Sequence, residues 1–342
     1  MSCDLFRMPR SVDSRWFPVA LCLLLRFCLL AGDTSTNTTV MVVVGAPGEE
    51  SFATNFVHQA HLWESSAQDA HASFHSVGLN ANPSTNDLVS LQQQIQQEPK
   101  LGTDALWLIL IGHGTFDGQE ARFNLRGPDL SAAQLSTWLE PFRRPLVIID
   151  TTSSSAPFIH LLSATNRVII TATRSGNELN FARFGQYLAE AVTNSAADLD
   201  HDGRISLLEV FLSSAARVRE FYQAENRLIT EHALIDDNGD GKGTPADWFR
   251  GTRVVQKGKE EAKPDGAFAS RVFLKADPTE SSWPPDFKAQ RDRLESSLAE
   301  LREQKSQLSE PEYLKKLEGI LTELAALYEK QGTNSVSPKG AK

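Results

Sequence analysis

Cysteine is scarce in this 342-residue sequence, and the position of the few cysteines matters more than their number. The three of them, Cys3, Cys22 and Cys28, all lie within the first 28 residues. A processed chain that begins near Asp33 therefore contains no thiol. Such a chain has neither a disulfide bond nor a catalytic cysteine, and it depends on a packed core for its stability.

The sequence also lacks a basic surface stripe and the composition of a disordered or fibrous protein. It has 43 acidic and 34 basic residues, which give a formal net charge of −9. Nucleic acids and anionic membranes attract clustered lysine and arginine, so neither is an expected partner. A hydrophobic content of 41% with 21 glycines and 16 prolines excludes a disordered or collagen-like chain and predicts one or two globular units.

The longest apolar run, VALCLLLRFCLLAG at 19–32, follows a basic segment and ends on two small residues. This order is typical of a signal peptide, so residues 1–32 are predicted to be cleaved on export to the periplasm or the extracellular space. The run is short for a membrane span and contains Arg26, so no stable span is expected after cleavage. A retained N-terminal membrane anchor is the alternative.

Between residues 38 and 194, short apolar runs alternate with amphipathic stretches. Strands are predicted at 40–47, 72–77, 105–114, 145–150 and 167–173. Helices are predicted at 51–68, from Thr85 or Asn86 to Pro99, and at 131–140, 156–163 and 181–195. This alternation indicates an α/β domain at 38–194 with a mostly parallel sheet flanked by helices. Ligands bind at the carboxyl ends of strands in such sheets, so the residues that directly follow each strand are the candidate site.

An acidic segment of twelve residues, DLDHDGRISLLE at 198–209, follows this domain. Calcium needs six or seven oxygen ligands, and an EF-hand loop supplies them from fixed positions around a sharply turned glycine, here Gly203. The predicted ligands are Asp198, Asp200, Asp202, the carbonyl of Arg204, Ser206 and Glu209. Every position is filled, which predicts an EF-hand calcium site between two helices. We call residues 198–209 the first acidic loop.

The second acidic loop, DDNGDGKGTPAD at 236–247, matches the same pattern less well. Its predicted ligands are Asp236, Asn238, Asp240, Lys242 and Asp247. The aspartate at the twelfth position is shorter than the usual glutamate, so weaker calcium binding or competition by magnesium is expected. Two interpretations are open: a degenerate second EF-hand, and a metal-free turn in which side chains bond the backbone. Residues 195–250 together are predicted to be an EF-hand-like calcium-binding region within helical sequence.

The rest of the sequence is predicted to form three parts. AFASRVFLKAD at 267–277 indicates a last strand, so that residues 251–280 return to the α/β domain. Residues 286–330 carry leucine-rich faces and a capping box formed by Ser309 and Glu312, which predict a helical hairpin. The hairpin either packs on the α/β domain or acts as an oligomerisation arm, and both alternatives are open. Residues 331–342 are predicted to be disordered.

Two strand ends carry residues of chemical interest. GHG at 112–114 ends one strong strand, DTTSSS at 150–155 ends the next, and TATRSGNE follows at 171–178. In this order the segments resemble the caspase/legumain-like cysteine peptidases, especially bacterial caspase-like members with an EF-hand insertion. The resemblance spans residues 38–275 and implies a caspase-like fold.

In that family a histidine and a cysteine converge at the strand ends, and backbone N–H groups hold the oxyanion. The resemblance implies His113 as the catalytic histidine, Gly114 as a backbone donor and Thr152 at the nucleophile position. Threonine departs from the family pattern, because a thiol ionises near pH ~8.5 and an aliphatic hydroxyl does not ionise near neutrality. The pocket is therefore expected to persist without chemistry. The alternative is an active hydrolase that uses Thr152, Ser153 or Ser154 with His113.

These observations predict an exported calcium-binding protein with a peptidase-like fold and an inactive catalytic centre. Such a pseudo-peptidase is expected to bind peptides or partner proteins, and calcium is its predicted cofactor. A second alternative is a scaffold protein that assembles through its C-terminal helices.

Overall fold

The computed structural model of the protein describes residues 38–79, 86–256, 264–275 and 283–335. The predicted leader at 1–32, the three cysteines and the predicted helix cap Thr85 lie outside these residues. Within the described part of the chain, no helix is both long and apolar enough to cross a membrane.

The strands of the central sheet are β1 (Thr39–Val44), β2 (Ser73–Val77), β3 (Leu106–Ile111), β7 (Leu146–Asp150), β8 (Arg167–Thr171), β9 (Leu234–Asp236) and β10 (Thr244–Pro245). The shorter strands are β4 (Gly114–Phe116), β5 (Ala121–Phe123), β6 (Leu130–Ser131), β11 (Phe249–Arg250) and β12 (Arg253–Val254). The central sheet has the order β10-β9-β8-β7-β3-β1-β2. Its five strands from β2 to β8 run parallel, whereas β9 is antiparallel to both β8 and β10.

The helices are α1 (Glu50–Asp69), α2 (Asp87–Gln97), α3 (Ala132–Leu139), α4 (Pro157–Leu162), α5 (Phe184–Ala191), α6 (Leu207–Ala224), α7 (Pro285–Glu303) and α8 (Glu310–Ser335). Helices α1, α5 and α6 cover one face of the sheet, and α2, α3 and α4 cover the other. Along β1, Val42 therefore packs into the first layer and Met41 into the second. Strands covered on both faces are apolar at every position, which explains the continuous runs. The predicted α/β fold with a mostly parallel sheet flanked by helices is confirmed.

Short-range capping determines where two of these helices begin. The Asn86 side chain accepts the N–H of Val89 at the start of α2. Ser131 and Gln134 form a reciprocal capping box at the start of α3. Such caps satisfy N–H groups that have no partner within the first helical turn.

The sheet has a topological switch point between β1 and β3. The chain passes from β1 to β2 on one side of β1, and then returns to form β3 on its other side. Loops that leave neighbouring strands in opposite directions open a crevice at the carboxyl ends of those strands. Pro47 follows β1 and His113 follows β3, so both residues border this crevice.

The prediction of a strand at 267–277 was wrong for its described residues, 267–275, which form no strand. A short 3₁₀ turn at Ala269–Arg271 stands there instead. The N–H groups of Gly266, Phe268 and Ala269 donate to the carboxylate of Asp237, at 2.7–2.9 Å. A side chain thus satisfies the backbone donors that a strand offers to its neighbour, and the segment curls. The edge of the sheet is formed by β9 and β10 instead.

The predicted C-terminal helical hairpin is present as α7 and α8. Its helices meet through an aromatic cluster in which the ring centroids of Trp283 and Phe287 lie 4.8 Å apart and each lies 5.8 Å from Tyr328. Half of the predicted capping box is formed: Glu312 Oε2 accepts the N–H of Ser309 at 3.3 Å and also its hydroxyl at 2.7 Å. Helix α8 continues to Ser335, so the prediction of disorder from residue 331 was wrong for its first residues, and 336–342 lie outside the described chain.

Candidate functional site

His113 and Thr152 follow two parallel neighbouring strands, β3 and β7, and therefore lie at the same edge of the sheet. Gly114 packs directly against the second strand end. A Cβ atom at Gly114 would stand 2.1 Å from the carbonyl oxygen of Ser153 and 2.6 Å from Thr152 Oγ1. Only glycine permits such a close approach of two backbones, which explains the glycine after the histidine.

The His113 ring is held by the loop after β1 and by aromatic side chains. Its Nε2 atom lies 3.1 Å from the carbonyl oxygen of Pro47. Phe52 packs at right angles to the imidazole with a centroid distance of 4.7 Å, and Phe56 and Phe181 lie at 5.2 and 6.1 Å. The sequence does not indicate these neighbours, because they come from α1 and from the segment before α5 and share no motif with the histidine.

The Thr152 hydroxyl is bound to a buried carboxylate. Thr152 is 1% exposed, and its Oγ1 donates to Asp150 Oδ1 at 2.7 Å. The Thr152 N–H donates to the same oxygen at 3.0 Å. Burial raises the pKa of Asp150 to about 6, although these two hydrogen bonds lower it in part. Among the described residues, no hydrogen bond joins Thr152 to His113.

Asp150 was not predicted as a site residue. The sequence nevertheless contains a signal for it. Asp150 ends the apolar run LVIID, and an acidic residue in a buried strand is costly unless its carboxyl group is hydrogen-bonded or paired.

The backbone donor that the family resemblance implies is already engaged. The Gly114 N–H donates to Ser153 Oγ at 3.3 Å, and Ser153 Oγ donates in return to the Gly114 carbonyl at 3.0 Å. The next residue, Ser154, has a left-handed φ of 59° and is 1% exposed. Its hydroxyl has no hydrogen-bond partner in the described chain. Neither the Ser153 hydroxyl nor the Ser154 hydroxyl is therefore bound to a base that could activate it for attack.

Comparison with family models and with curated protein sequences gives no match. Among solved structures, the Drosophila initiator caspase Dronc is similar with a TM-score of 0.40 and 13% identity, over 60% of this chain and 81% of that chain. Caspase-1 from Spodoptera frugiperda is similar with a TM-score of 0.38 and 10% identity, over 59% and 86%. Such low identities say nothing about activity, so the function of this chain must be inferred from its own residues.

The first acidic loop gathers its carboxylates into a small volume. Oxygen atoms of Asp198, Asp200 and Asp202 lie within 4.8 Å of one another. Gly203 adopts a φ of 85° and donates its N–H to Asp198 at 3.0 Å, as the sharp turn at this position requires. The loop leads directly into α6.

The last predicted ligand of this loop reaches back across it. Glu209 Oε1 accepts the N–H groups of Leu199 and Asp200, at 2.8 and 3.2 Å. Its Oε2 accepts the N–H and the hydroxyl of Ser206, at 2.8 and 2.7 Å. Burial raises the pKa of Asp200, and the charges of Glu209 and Asp202 raise it further. Mutually repelling carboxylates around one point are a donor set that fits a hard divalent cation.

The second acidic loop has different surroundings from those predicted. It joins β9 to β10 in the central sheet, so the expectation of helical flanks was wrong for this loop. Asn238 Oδ1 accepts the N–H of Asp240, and Asp240 Oδ1 accepts the N–H of Lys242, each at 2.8 Å. The structure thus brings Asp236, Asn238, Asp240 and Lys242 into one loop. Asp247 lies beyond β10 as an exposed residue and does not join them.

Residues 264–275 contact the neighbourhoods of both acidic loops. Phe273 forms an isolated antiparallel bridge with Ser206 of the first loop. At the other end of the segment, Asp265 accepts the N–H groups of Asp237 and Asn238 of the second loop, at 2.9 and 3.2 Å. The two loops are therefore linked by one short stretch of chain.

A cleft of about 520 Å³ lies beside the end of β8, between α6 and the residues after β10. Its walls include the apolar side chains Phe184, Val218, Ile229 and Trp248, and Arg174 and Arg219 lie at its rim. A concave apolar surface with a few charged groups is the usual form of a ligand site. The sequence does not indicate this cleft, because its residues come from several distant segments.

Proposed function

We propose that the protein is an exported, calcium-binding pseudo-peptidase that binds peptides or partner proteins without cleaving them. One observation carries the proposal: the residue at the nucleophile position, Thr152, is buried with its hydroxyl donating to Asp150. The caspase/legumain-like order of the motifs supplies the fold and the pocket, and the leader-like segment at 1–32 supplies export.

The chemistry of the site supports inactivity. An aliphatic hydroxyl attacks a carbonyl only when a base within hydrogen-bond reach removes its proton. The His113 ring instead contacts the Pro47 carbonyl. The Gly114 N–H, which an oxyanion would need, donates to Ser153. Nucleophile, base and oxyanion donor are thus each occupied by another partner.

Restoring the sulfur tests this interpretation. We expect Thr152→Cys to cleave a peptide library in a manner lost on adding His113→Ala, because a thiol is a weaker hydrogen-bond donor to Asp150 than the hydroxyl and ionises far more readily. The natural chain and the matched control Thr152→Ser should remain inactive. Cleavage by the natural chain that Thr152→Ala abolishes would instead establish the active hydrolase. Labelling of the natural chain by a fluorophosphonate, lost in His113→Ala, would lead to the same conclusion.

The calcium part of the proposal rests on the first acidic loop. Asp198, Asp200, Asp202, Ser206 and Glu209 would hold the ion with the Arg204 carbonyl, and the ion would offset the repulsion among the carboxylates. Glu209 also caps α6, so occupation of the loop and the start of this helix depend on the same side chain.

The binding part of the proposal rests on the 520 Å³ cleft. Its apolar walls suit the apolar side chains of a peptide, and no hydrogen bond or ion pair engages Arg219 within the described chain. Arg219→Ala should weaken retention of peptides with acidic residues on the immobilised protein. Arg302→Ala, an exposed arginine of α7, is the matched control and should retain them as the natural chain does. Equal loss in both variants would mean that the cleft has no part in binding.

A scaffold function is favoured by one specific observation. On α8, Leu314, Leu321 and Tyr328 are 42–52% exposed and follow one another at seven-residue intervals, the spacing of a coiled-coil seam. Light scattering of the full chain and of the double variant Leu314→Glu, Leu321→Glu tests it. A multimer that becomes a monomer in the variant supports assembly through this face, and an unchanged mass removes the scaffold function.

A further inference from the structure

The second acidic loop contains an unpaired oxygen atom in the protein interior. Asp236 is 1% exposed, and its Oδ2 has no donor in hydrogen-bond geometry in the described chain, although the hydroxyl of Ser163 interacts with this carboxylate from beside it. Its other oxygen, Oδ1, accepts the N–H of Gly239 within the loop at 3.1 Å. A buried carboxylate oxygen without a donor is costly, and a cation is the partner that relieves this cost.

We propose that the second acidic loop is a separate site for a hard divalent cation, bound by Asp236, Asn238, Asp240 and the carbonyl of Lys242, and that Asp247 is not a ligand. The site is independent of the first acidic loop and of the peptidase-like centre, so it stands whether or not either of those binds anything.

Both carboxylate oxygens of Asp237 and of Asp265 accept hydrogen bonds from the protein, which leaves Asp236 and Asp240 as the acidic ligands of the loop. The carboxylate of Asp237 is turned to the N–H groups of residues 266, 268 and 269. Asp265 accepts the N–H groups at the start of the loop and, through its other oxygen, the hydroxyl of Thr244 at 2.5 Å. Asp265 thus holds the two ends of the loop together as a positioning residue, and we do not count it among the ligands of the ion.

The strand register excludes the twelfth residue of the sequence motif. Thr244 is paired with Ile235, and Pro245 with Leu234, in the antiparallel ladder of β9 and β10. Pro245 thus already lies two residues from Asp236 along β9, or roughly 7 Å at about 3.3 Å per residue, and Asp247 lies farther along the chain in the 3₁₀ turn Ala246–Trp248 that follows β10. Asp247 instead lines the 520 Å³ cleft. A ligand at this position, as an EF-hand requires, is therefore out of reach.

Helix α4 supports the loop from outside. Ser163, just after α4, accepts the N–H of Gly241 at 2.9 Å and lies beside Asp236. A Cβ atom at Gly239 would stand 3.1 Å from the backbone of Ala164, so the second acidic loop packs closely against the residues that follow α4. A cation here would fasten the edge of the central sheet to the end of α4.

Calcium stoichiometry, measured by isothermal titration calorimetry on the full chain, tests the site. The two loops together should bind two ions in the natural chain, and Asp240→Asn and Asp202→Asn should each leave one. The matched control Asp247→Asn, which alters a motif residue that the register excludes, should still bind two. Asp240 is exposed, and melting of each variant followed by circular dichroism verifies its fold. Asn238→Ala replaces Asp240→Asn should the latter fail to fold.

The outcomes separate this site from the first acidic loop. One ion in the natural chain that Asp240→Asn abolishes and Asp202→Asn preserves would support this site and contradict calcium binding by the first loop. One ion lost only in Asp202→Asn would overturn the site, as would loss of an ion in Asp247→Asn. Absence of any bound ion in both the calcium and the magnesium titrations overturns both loops. Repeating the titration with magnesium alone shows which hard cation the second loop binds, because magnesium demands a stricter octahedral geometry.

Discussion

The side-chain hydroxyl of Thr152 donates a hydrogen bond to the buried carboxyl group of Asp150, with 2.7 Å between the two oxygens. This bond engages the hydroxyl with a carboxyl group in the protein interior, where Thr152 is 1% exposed. Asp150 Oδ2 has no hydrogen-bond partner in the described chain. At the end of β7, the Asp150 carboxyl group and the Thr152 hydroxyl are therefore hydrogen-bonded to each other. A peptidase needs at this position a nucleophile that is exposed to its substrate.

Asp150 should make the stability of the protein fall as the pH rises. The unfolded chain ionises this group near its ordinary pKa of 3.8, whereas the folded chain ionises it at about 6. Between these values the folded state binds more protons, so its free energy of unfolding decreases with pH, by about 3 kcal/mol for this group. Urea denaturation measures the free energy of unfolding at pH 4 and at pH 7. Its decrease between these two values should be about 3 kcal/mol smaller in Asp150→Asn than in the natural chain. Parallel curves would contradict the prediction, and the exposed Asp69→Asn is the control.

Gly114→Ala should destabilise the protein because the new methyl group collides with backbone. The Cβ atom would stand 2.1 Å from the Ser153 carbonyl oxygen, and overpacking of this kind costs about 1–3 kcal/mol. Gly319→Ala is the control: Gly319 lies in α8 with nothing within 4 Å of a Cβ atom, so alanine should stabilise by about 0.5–1 kcal/mol. Urea denaturation measures both. A Gly114→Ala protein as stable as the natural chain would disprove the close contact.

Millimolar calcium should raise the melting temperature of the protein, because an ion that binds only the folded state stabilises it by mass action. At a concentration 100 times the dissociation constant, the gain for one site is about 2.7 kcal/mol. Differential scanning calorimetry in calcium and in EDTA should show a smaller shift for Asp202→Asn. Glu220→Gln, an exposed acid on α6, should shift like the natural chain. An equal melting temperature in calcium and EDTA would count against both acidic loops.

Phe273→Ala should weaken calcium binding by the first acidic loop without removing a ligand. The Arg204 guanidinium, whose backbone supplies a predicted ligand, lies 4.5 Å from the centroid of the Phe273 ring. Loss of about 0.5–1 kcal/mol from this contact corresponds to a roughly 2- to 5-fold lower affinity. Calorimetric titration checks it, with Leu228→Ala, whose side chain is 88% exposed, as the truncation control. Unchanged affinity would show that residues 264–275 do not support the loop.

Features that depend on neighbouring residues were predictable from the sequence. The apolar runs at 40–47 and 105–114 predicted buried parallel strands, because a strand covered on both faces has no polar side. The hydrogen bonds between Ser309 and Glu312 and the turn at Gly203 also followed from local spacing. In each case the chemistry involves residues only a few positions apart.

The family-like motifs located the candidate site but not its contacts. His113 and Thr152 were placed at one sheet edge by the order of the strands alone, as found. The partners of these side chains, Pro47 and Asp150, were not predicted. A hydroxyl or an imidazole takes whichever donor or acceptor lies nearest, and local sequence does not determine that choice for His113, whose partner lies 66 residues away along the chain.

By itself, then, the sequence determined the α/β class, the placement of all three cysteines among the first 28 residues and the twelve positions of the first acidic loop, since composition and short spacing decide these. The tertiary structure alone decided that Thr152 faces Asp150, that Asp247 lies away from the second acidic loop and that a cleft opens beside β8. The physical reason is that a buried contact, a strand register and a cleft all depend on how the whole core packs, and no single motif determines that packing.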